Sequence, residues 1–172
     1  METDSTTQLV LDAPDSFGGR RIAAHPDASK EKRFANFAID WVTRFLLVAL
    51  GSIAYALLNP EVFLEVDQEA SGGVGELLAG RLFDFVVGAL VTIAYYTAFE
   101  GATGGRSLGK YLTGTRAVRI DGARFTSRDA FARSLWRVVP FEAFSFFGSD
   151  VSGWHDTKTD TRVVDLRKEL IE

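Results

Sequence analysis

The chain has no cysteine and only two histidines, His25 and His155. This excludes a disulfide framework, a thiolate metal site and a cysteine nucleophile, and it leaves little for a zinc site. Positive charge is not in excess either. Nineteen Lys and Arg face 23 Asp and Glu, a net charge of −4, so no bulk basic character points to nucleic acid. The opening stretch "METDSTTQLVLDAPDSFGGRRIAAHPDASKEKR" lacks the apolar run of about 7–15 residues that a secretory signal needs. Residues 1–29 read instead as a mobile polar tail, with "QLVLD" a candidate edge strand. A more local lack is that "NPEVFLEVDQEASGGVGELLAG", from Asn59 to Gly80, contains no lysine or arginine.

What is present is long apolar sequence. Of 172 residues, 47% are hydrophobic and 14 are Phe, within a length that suits one domain. "FANFAIDWVTRFLLVALGSIAYALL", Phe34 to Leu58, carries only Asp40 and Arg44 as charges and stops at "NP". "LFDFVVGALVTIAYYTAF", Leu82 to Phe99, carries only Asp84. Both suit helices that cross a hydrocarbon core, which takes about 17–25 residues. The far half of the first run has no charged face, and a soluble domain this small has little core to cover it all round.

Charge placement orients the pair. Lys30, Lys32 and Arg33 precede the first run, and Arg106, Lys110, Arg116, Arg119, Arg124 and Arg128 follow the second. By the positive-inside rule both ends face the cytoplasm and the acidic connector faces outward. "GGRSLGKY" meets the pattern G-x-x-x-x-G-K, yet Tyr111 stands where a Mg²⁺-binding Ser or Thr belongs, and no parallel-sheet strand leads into it. Gly104 and Gly105 are expected to end the helix with φ > 0, leaving Arg106 and Lys110 to anionic lipid headgroups.

Beyond this loop, "TRAVRIDGARFT" reads as a hairpin turning at Asp121-Gly122. Thr126 or Ser127 then caps a helix beginning at "RDAFARSLWRVV". Arg133 and Arg137, one turn apart, give it a basic face of the kind that lies among headgroups. Pro140 breaks it, and "FEAFSFFG" is too short to cross alone. Residues 128–147 therefore read as an interfacial or re-entrant element, with a full third crossing as the alternative. "TRVVDL" reads as a final strand available to "TRAVRI", followed by the solvated tail 165–172. The resulting class is an all-α membrane protein: two transmembrane helices, an amphipathic or re-entrant third element and a small cytoplasmic β-hairpin.

The run "RSLWRVVPFEAFSFFG" followed by "GWHDTKTDTRVV", with "GGRSLGKYLTGTRAVRIDG" upstream and "KRFANFAIDW" opening the first helix, resembles the RDD family of small bacterial membrane proteins. The likeness spans about Lys32 to Val164, nearly all of a membrane domain drawn at 30–164. It implies that Arg33 is the family's arginine and Asp40 its first aspartate. Asp156 of "WHD" matches the second aspartate better than Asp84 does. It also implies a cytoplasmic motif of Gly109, Lys110, Arg133, Arg137, His155 and Asp156, in a multi-pass protein of the bacterial inner membrane. Cation/proton exchange has been proposed for some members, so the resemblance implies a location and a residue set rather than a reaction.

Physical chemistry supplies a reason for those residues. Arg33, Asn36, Asp40, Thr43 and Arg44 recur at steps of three and four, one stripe on the polar half of the helix. Asp40 and Arg44 are i,i+4 neighbours suited to neutralise each other. An antiparallel second helix brings Tyr95 or Tyr96 near Asp40, and Glu100 near Arg133, Arg137 or His155. Glu142, just past Pro140, would need an arginine if its segment enters the membrane. Asp156 is expected to cap a turn, and adjacent His155 and Asp156 are not expected to face one another. These residues form a buried-charge cluster and candidate ion path. No catalytic group, metal or cofactor is expected. The functional expectation is a small ion- or proton-coupled transporter working as an oligomer, or a non-catalytic adaptor binding a larger complex through its basic face.

Overall fold

The computed structural model describes residues 25–61, 74–140 and 153–168. Helix α1, Lys30–Leu58, is capped by Ser29, whose hydroxyl accepts from Lys32 N. It ends where Asn59 and Pro60 withdraw helix-forming sequence. Helix α2 runs Val74–Thr103. Both extend past the apolar runs that announce them, α1 over Lys30–Arg33 and α2 over 74–81 and 100–103, none of which contains proline. At 1.5 Å per residue each is about 44 Å long, the thickness of a bilayer with its headgroups. Two hydrogen bonds fix their relative direction. Tyr95 Oη donates to Asp40, and Arg44 to Thr92 one turn further on, so the helices are antiparallel.

Away from this polar end the helices carry their apolar side chains outward. Leu58 is 81% exposed and Phe83 69%, an arrangement that water penalises and lipid accommodates. Both helices are long and apolar enough to cross a membrane.

At the polar end the chain builds a small cap. Helix α3, Leu108–Thr113, is capped by Ser107 and closed by Gly114 in the left-handed region, φ 74°. Strand β1, Thr115–Arg119, pairs antiparallel with β2, Thr161–Asp165, with Ala117 opposite Val163. Between them lie α4, Ser127–Arg137, and α5, Trp154–Thr157. Residues 26–28 lie along the other edge of β2: Ala28 N donates to Val163 O at 2.9 Å and Asp165 N to Pro26 O at 2.9 Å. Residues 25–29 are therefore part of the fold and not of a mobile tail. The "QLVLD" segment lies outside the described residues.

The β-ribbon is present, but its strands are not the two flanks of Asp121-Gly122. That turn forms, with Gly122 at φ 72°, and the chain then enters α4 instead of returning along β1. Both edges of β1 are already occupied. One pairs with β2, and on the other Ala117 N donates to Gly105 O at 2.8 Å. A Cβ at Gly105 would sit 2.2 Å from Ala117 O, so only glycine permits this approach. Phe125, expected to lie in a strand, turns inward onto Ala117 and Ala130.

Helix α4 begins with a full capping box between Thr126 and Asp129. Its Ala130, Arg133 and Ser134 are buried, and Thr97 on α2 lies 3.1 Å from Ser134 across the contact. The helix stops at Arg137, and residues 141–152, with Glu142, lie outside those described.

Candidate functional site

The polar ends of these elements meet in a buried network of charges. Glu100, fully buried on the last turns of α2, is its first centre. Lys110 Nζ of α3 lies 2.7 Å from its Oε1, Arg137 Nη2 of α4 lies 3.0 Å from the same oxygen, and Arg133 Nε lies 3.2 Å from Oε2. Asp156, on α5 and also fully buried, is the second centre. Arg33 Nη1 donates to its Oδ2 at 2.7 Å, and Arg133 Nη1 lies 2.6 Å from Oδ1. Arg133 therefore bridges the two carboxylates, and its Nη1 also donates to Thr161 Oγ1 on β2. Arg33 completes its own bonding on backbone carbonyls, donating to Ala28 O and Val163 O at 3.3 Å each.

Asp40 is held differently. Tyr95 Oη donates to its Oδ1 at 2.8 Å, Gly109 N to the same atom at 2.8 Å, and Ser107 Oγ to Oδ2 at 2.6 Å. The Gly109 amide belongs to the first turn of α3, where backbone donors have no partner within the helix. Asp40 thus caps a helix that is not its own. A Cβ at Gly109 would stand 2.5 Å from Asn36 O and 3.0 Å from Asp40 Oδ1, which explains the glycine. Asn36, one turn before Asp40, ties α1 to the residues after α3. Its amide nitrogen donates to Thr113 Oγ1 at 2.5 Å and its oxygen accepts from Thr115 Oγ1 at 2.9 Å.

Several sequence expectations change here. Arg44 does not neutralise the Asp40 carboxylate. It donates Nε to the Asp40 backbone carbonyl at 3.3 Å and Nη1 to Thr92 Oγ1 at 2.6 Å. The carboxylate is turned toward α3, whose amide and hydroxyl donors reach it first. Lys110 is buried on Glu100 and is not offered to headgroups. The basic face of α4 likewise points inward, because Arg133 and Arg137 are drawn to Glu100. Asp156 pairs with arginines instead of capping a turn among the described residues. His155, its neighbour in sequence, does approach it, Nε2 to Oδ1 at 3.6 Å. Arg167, assigned to a solvated tail, donates to Leu112 O at 2.7 Å at the end of α3. Asp84 is exposed on α2, outside the network.

Other expectations match. Tyr95 is the hydroxyl that reaches Asp40, Glu100 meets Arg133 and Arg137, and Gly104 and Gly105 take φ of 66° and 110°. Arg116 caps the end of α2 by donating Nε to Gly104 O at 2.8 Å. Two contributors were missed. Ser107 serves both as the cap of α3 and as a donor to Asp40. Lys32 pairs with Asp165 at 2.7 Å, fastening α1 to β2. Ser107, standing just before the helix-forming run "LGKYLT", was the available signal for the first, and nothing local signalled the second.

The electrostatics follow from burial. Burial alone would raise the Asp156 pKa, but Arg133, His155 and Arg33 together hold its carboxyl well below the usual carboxylate range. Burial pushes the Lys110 ammonium down, against the pull of Glu100. Arg137 is held upward against burial, by Glu100 above all. Tyr96 lies at the centre of the cations, with the Arg137 guanidinium 3.8 Å from its ring centroid, Arg44 at 5.4 Å and Lys110 at 6.0 Å. Among the described residues no group of three or more acidic or histidine side chains is placed to hold a metal.

Compared with known families, residues 28–155 match the sequence model of the RDD family. No curated protein and no solved structure matches the chain.

Proposed function

The chain belongs to the RDD family and is a multi-pass membrane protein, and from that premise we propose that it is a membrane scaffold rather than an ion exchanger. The observation that carries this reading is the saturation of its acids. Asp40 accepts three hydrogen bonds, Glu100 lies against three cations, and Asp156 against two arginines. A carboxylate that shuttles protons must exchange its partners during a cycle, whereas these join α1, α2, α3, α4 and α5 into one body. Beyond Arg44 the outer half of α1 carries no Asp, Glu, Lys or Arg to continue a path, and Arg81 and Asp84 on the outer half of α2 are exposed, outside the network.

In this reading both termini are cytoplasmic, as the Lys/Arg asymmetry requires, in a bacterial inner membrane. Helix α4 lies at headgroup depth with Phe131 and Leu135 turned to lipid, since both are exposed while Arg133 is buried. The uncovered faces of α1 and α2 meet a second copy or a larger complex in the bilayer.

One observation favours transport: a cavity of about 230 Å³ is lined in part by Asp40. The two readings separate in vesicles holding purified protein under imposed Na⁺, K⁺ and H⁺ gradients. The scaffold gives no change of internal pH beyond empty vesicles. A cation-driven pH change that disappears in Asp40→Asn at equal folded protein would establish exchange instead.

A further inference from the structure

The same cavity has an electrostatic character that scaffolding does not use. Arg33, Arg44, Lys110 and Arg137 line it, with Asp40 and Asp156 as its acids. Glu100 and Arg133 stand behind the lining. Five cations against three carboxylates leave two positive charges uncompensated among the described residues, His155 not counted. A buried excess of this kind is costly unless an anion answers it. One group is already directed at such an anion. Arg137, with its side chain 9% exposed, spends Nη2 on Glu100, while its buried Nη1 has no hydrogen-bond partner among the described residues. Arg44 meets no carboxylate among the described residues, only a carbonyl and a hydroxyl.

The cavity also continues into an apolar seam. Arg44 and Thr92 line both it and a second hollow with Trp41, Phe45 and Val91. Val48 and Val91 carry that hollow into a third, which reaches Tyr55. Along this line α1 and α2 stand apart, and a Cβ at Gly51 or Gly88 would meet nothing within 4 Å. From Arg44 to Tyr55 the seam rises about 16 Å, one leaflet's share of a hydrocarbon core of about 30 Å. A cationic pocket at headgroup depth, opening into an apolar groove one leaflet long, has the shape and polarity of a phospholipid. We propose that an anionic phospholipid occupies this site, its phosphate on Arg137 and Arg44 and an acyl chain in the seam between α1 and α2. A phosphomonoester headgroup suits the two spare charges best, and charge-assisted bonds from guanidinium to phosphate supply the recognition.

The probes are dioleoyl phosphatidic acid, dioleoyl phosphatidylcholine and inorganic phosphate, each titrated into the detergent-purified full chain. Lipid retention is read by native mass spectrometry and Tm by thermal unfolding. Arg44→Gln removes a phosphate donor without touching Glu100 or Asp156, and Gly88→Leu puts a side chain into the seam from a position where a Cβ meets nothing within 4 Å. Phosphatidic acid is expected to be retained and to raise Tm, and phosphatidylcholine to do neither. Arg44→Gln should weaken retention by about tenfold or more, the loss of one charge-assisted contact. Gly88→Leu should weaken phosphatidic acid but not inorganic phosphate. Equal response to both lipids, or wild-type retention in both variants, overturns the proposal. Inorganic phosphate matching phosphatidic acid, with Gly88→Leu silent, overturns the lipid assignment in favour of a soluble anion.

Discussion

Arg33 Nη1 donates to Asp156 Oδ2 at 2.7 Å, joining the first turn of the first membrane helix to the short helix that precedes the last strand. Both side chains are buried. The bond seats the cytoplasmic cap on α1, while Arg133 extends the same carboxylate to Glu100 on α2. The network thus connects two helices that scarcely touch in their outer halves.

Removing one partner of such a pair strands the other. Arg33→Ala leaves Asp156 with Arg133, so the loss should fall at or below the about 3–5 kcal/mol seen for broken buried pairs. Asp156→Ala leaves Arg33 on its two backbone carbonyls and Arg133 on Glu100 alone, and should be the more damaging change. Thermal unfolding in detergent checks the order, and equal losses would mean that Arg33 is held chiefly by its two carbonyls.

Two glycines should respond in opposite ways. Gly109→Ala pushes a methyl to 2.5 Å from Asn36 O and should cost about 1–3 kcal/mol as overpacking. Gly88→Ala enters open space in the middle of a helix, where alanine is favoured by roughly 0.5–1 kcal/mol. Unfolding of the two variants against wild type measures both, and a harmless Gly109→Ala would mean that α3 packs less closely on α1.

The depressed Asp156 pKa sets a sign for acid stability. A carboxylate whose folded pKa lies below its unfolded value, near 3.9, contributes stability that is fully present above that value. The contribution is lost as pH falls toward the folded pKa. Tm should therefore be insensitive to Asp156 from about pH 5 upward and decline below about pH 4. Arg33→Gln removes one of the cations that depress the pKa, so its acid decline should begin at the same pH, set by the unfolded value, but be smaller and end at higher pH. Identical acid limbs in the two proteins would show that Arg33 does not act on this carboxylate.

The parts of the molecule that sequence makes legible are those governed by local rules. Apolar length announces both membrane helices, Thr126 the start of α4, and Gly104 and Gly105 the end of α2. The stripe from Arg33 to Arg44 marks the polar end of α1, and the i,i+4 rule then misleads. It pairs Arg44 with Asp40, whereas Tyr95, Ser107 and Gly109 reach the carboxylate from two other elements. The two flanks of Asp121-Gly122 do not pair with each other for the same reason, although the pairing of "TRVVDL" with "TRAVRI" forms. A local Asp-Gly turn competes with a distant strand, and β2 takes the edge because Lys32 and residues 26–28 already hold it against α1. Long-range pairing among buried charges leaves little local trace, so Arg133 reads as a headgroup contact until Glu100 and Asp156 are seen on either side of it.

The claim that the acids are structural is tested most directly at the Gly109 amide. This N–H lies in the first turn of α3, and its acceptor is Asp40 Oδ1 at 2.8 Å, so its hydrogen exchange reports that one bond. Residue-resolved exchange would be measured for the full chain in lipid nanodiscs, with and without Na⁺ or K⁺, alongside Asp40→Asn. A structural Asp40 predicts slow exchange at Gly109 that neither cation alters, and faster exchange in Asp40→Asn, where a neutral amide oxygen replaces the charged acceptor. Exchange at Gly109 that accelerates when Na⁺ or K⁺ is added, in a protein otherwise unchanged, would contradict the account, because it would mean that Asp40 leaves its helix cap to bind the ion.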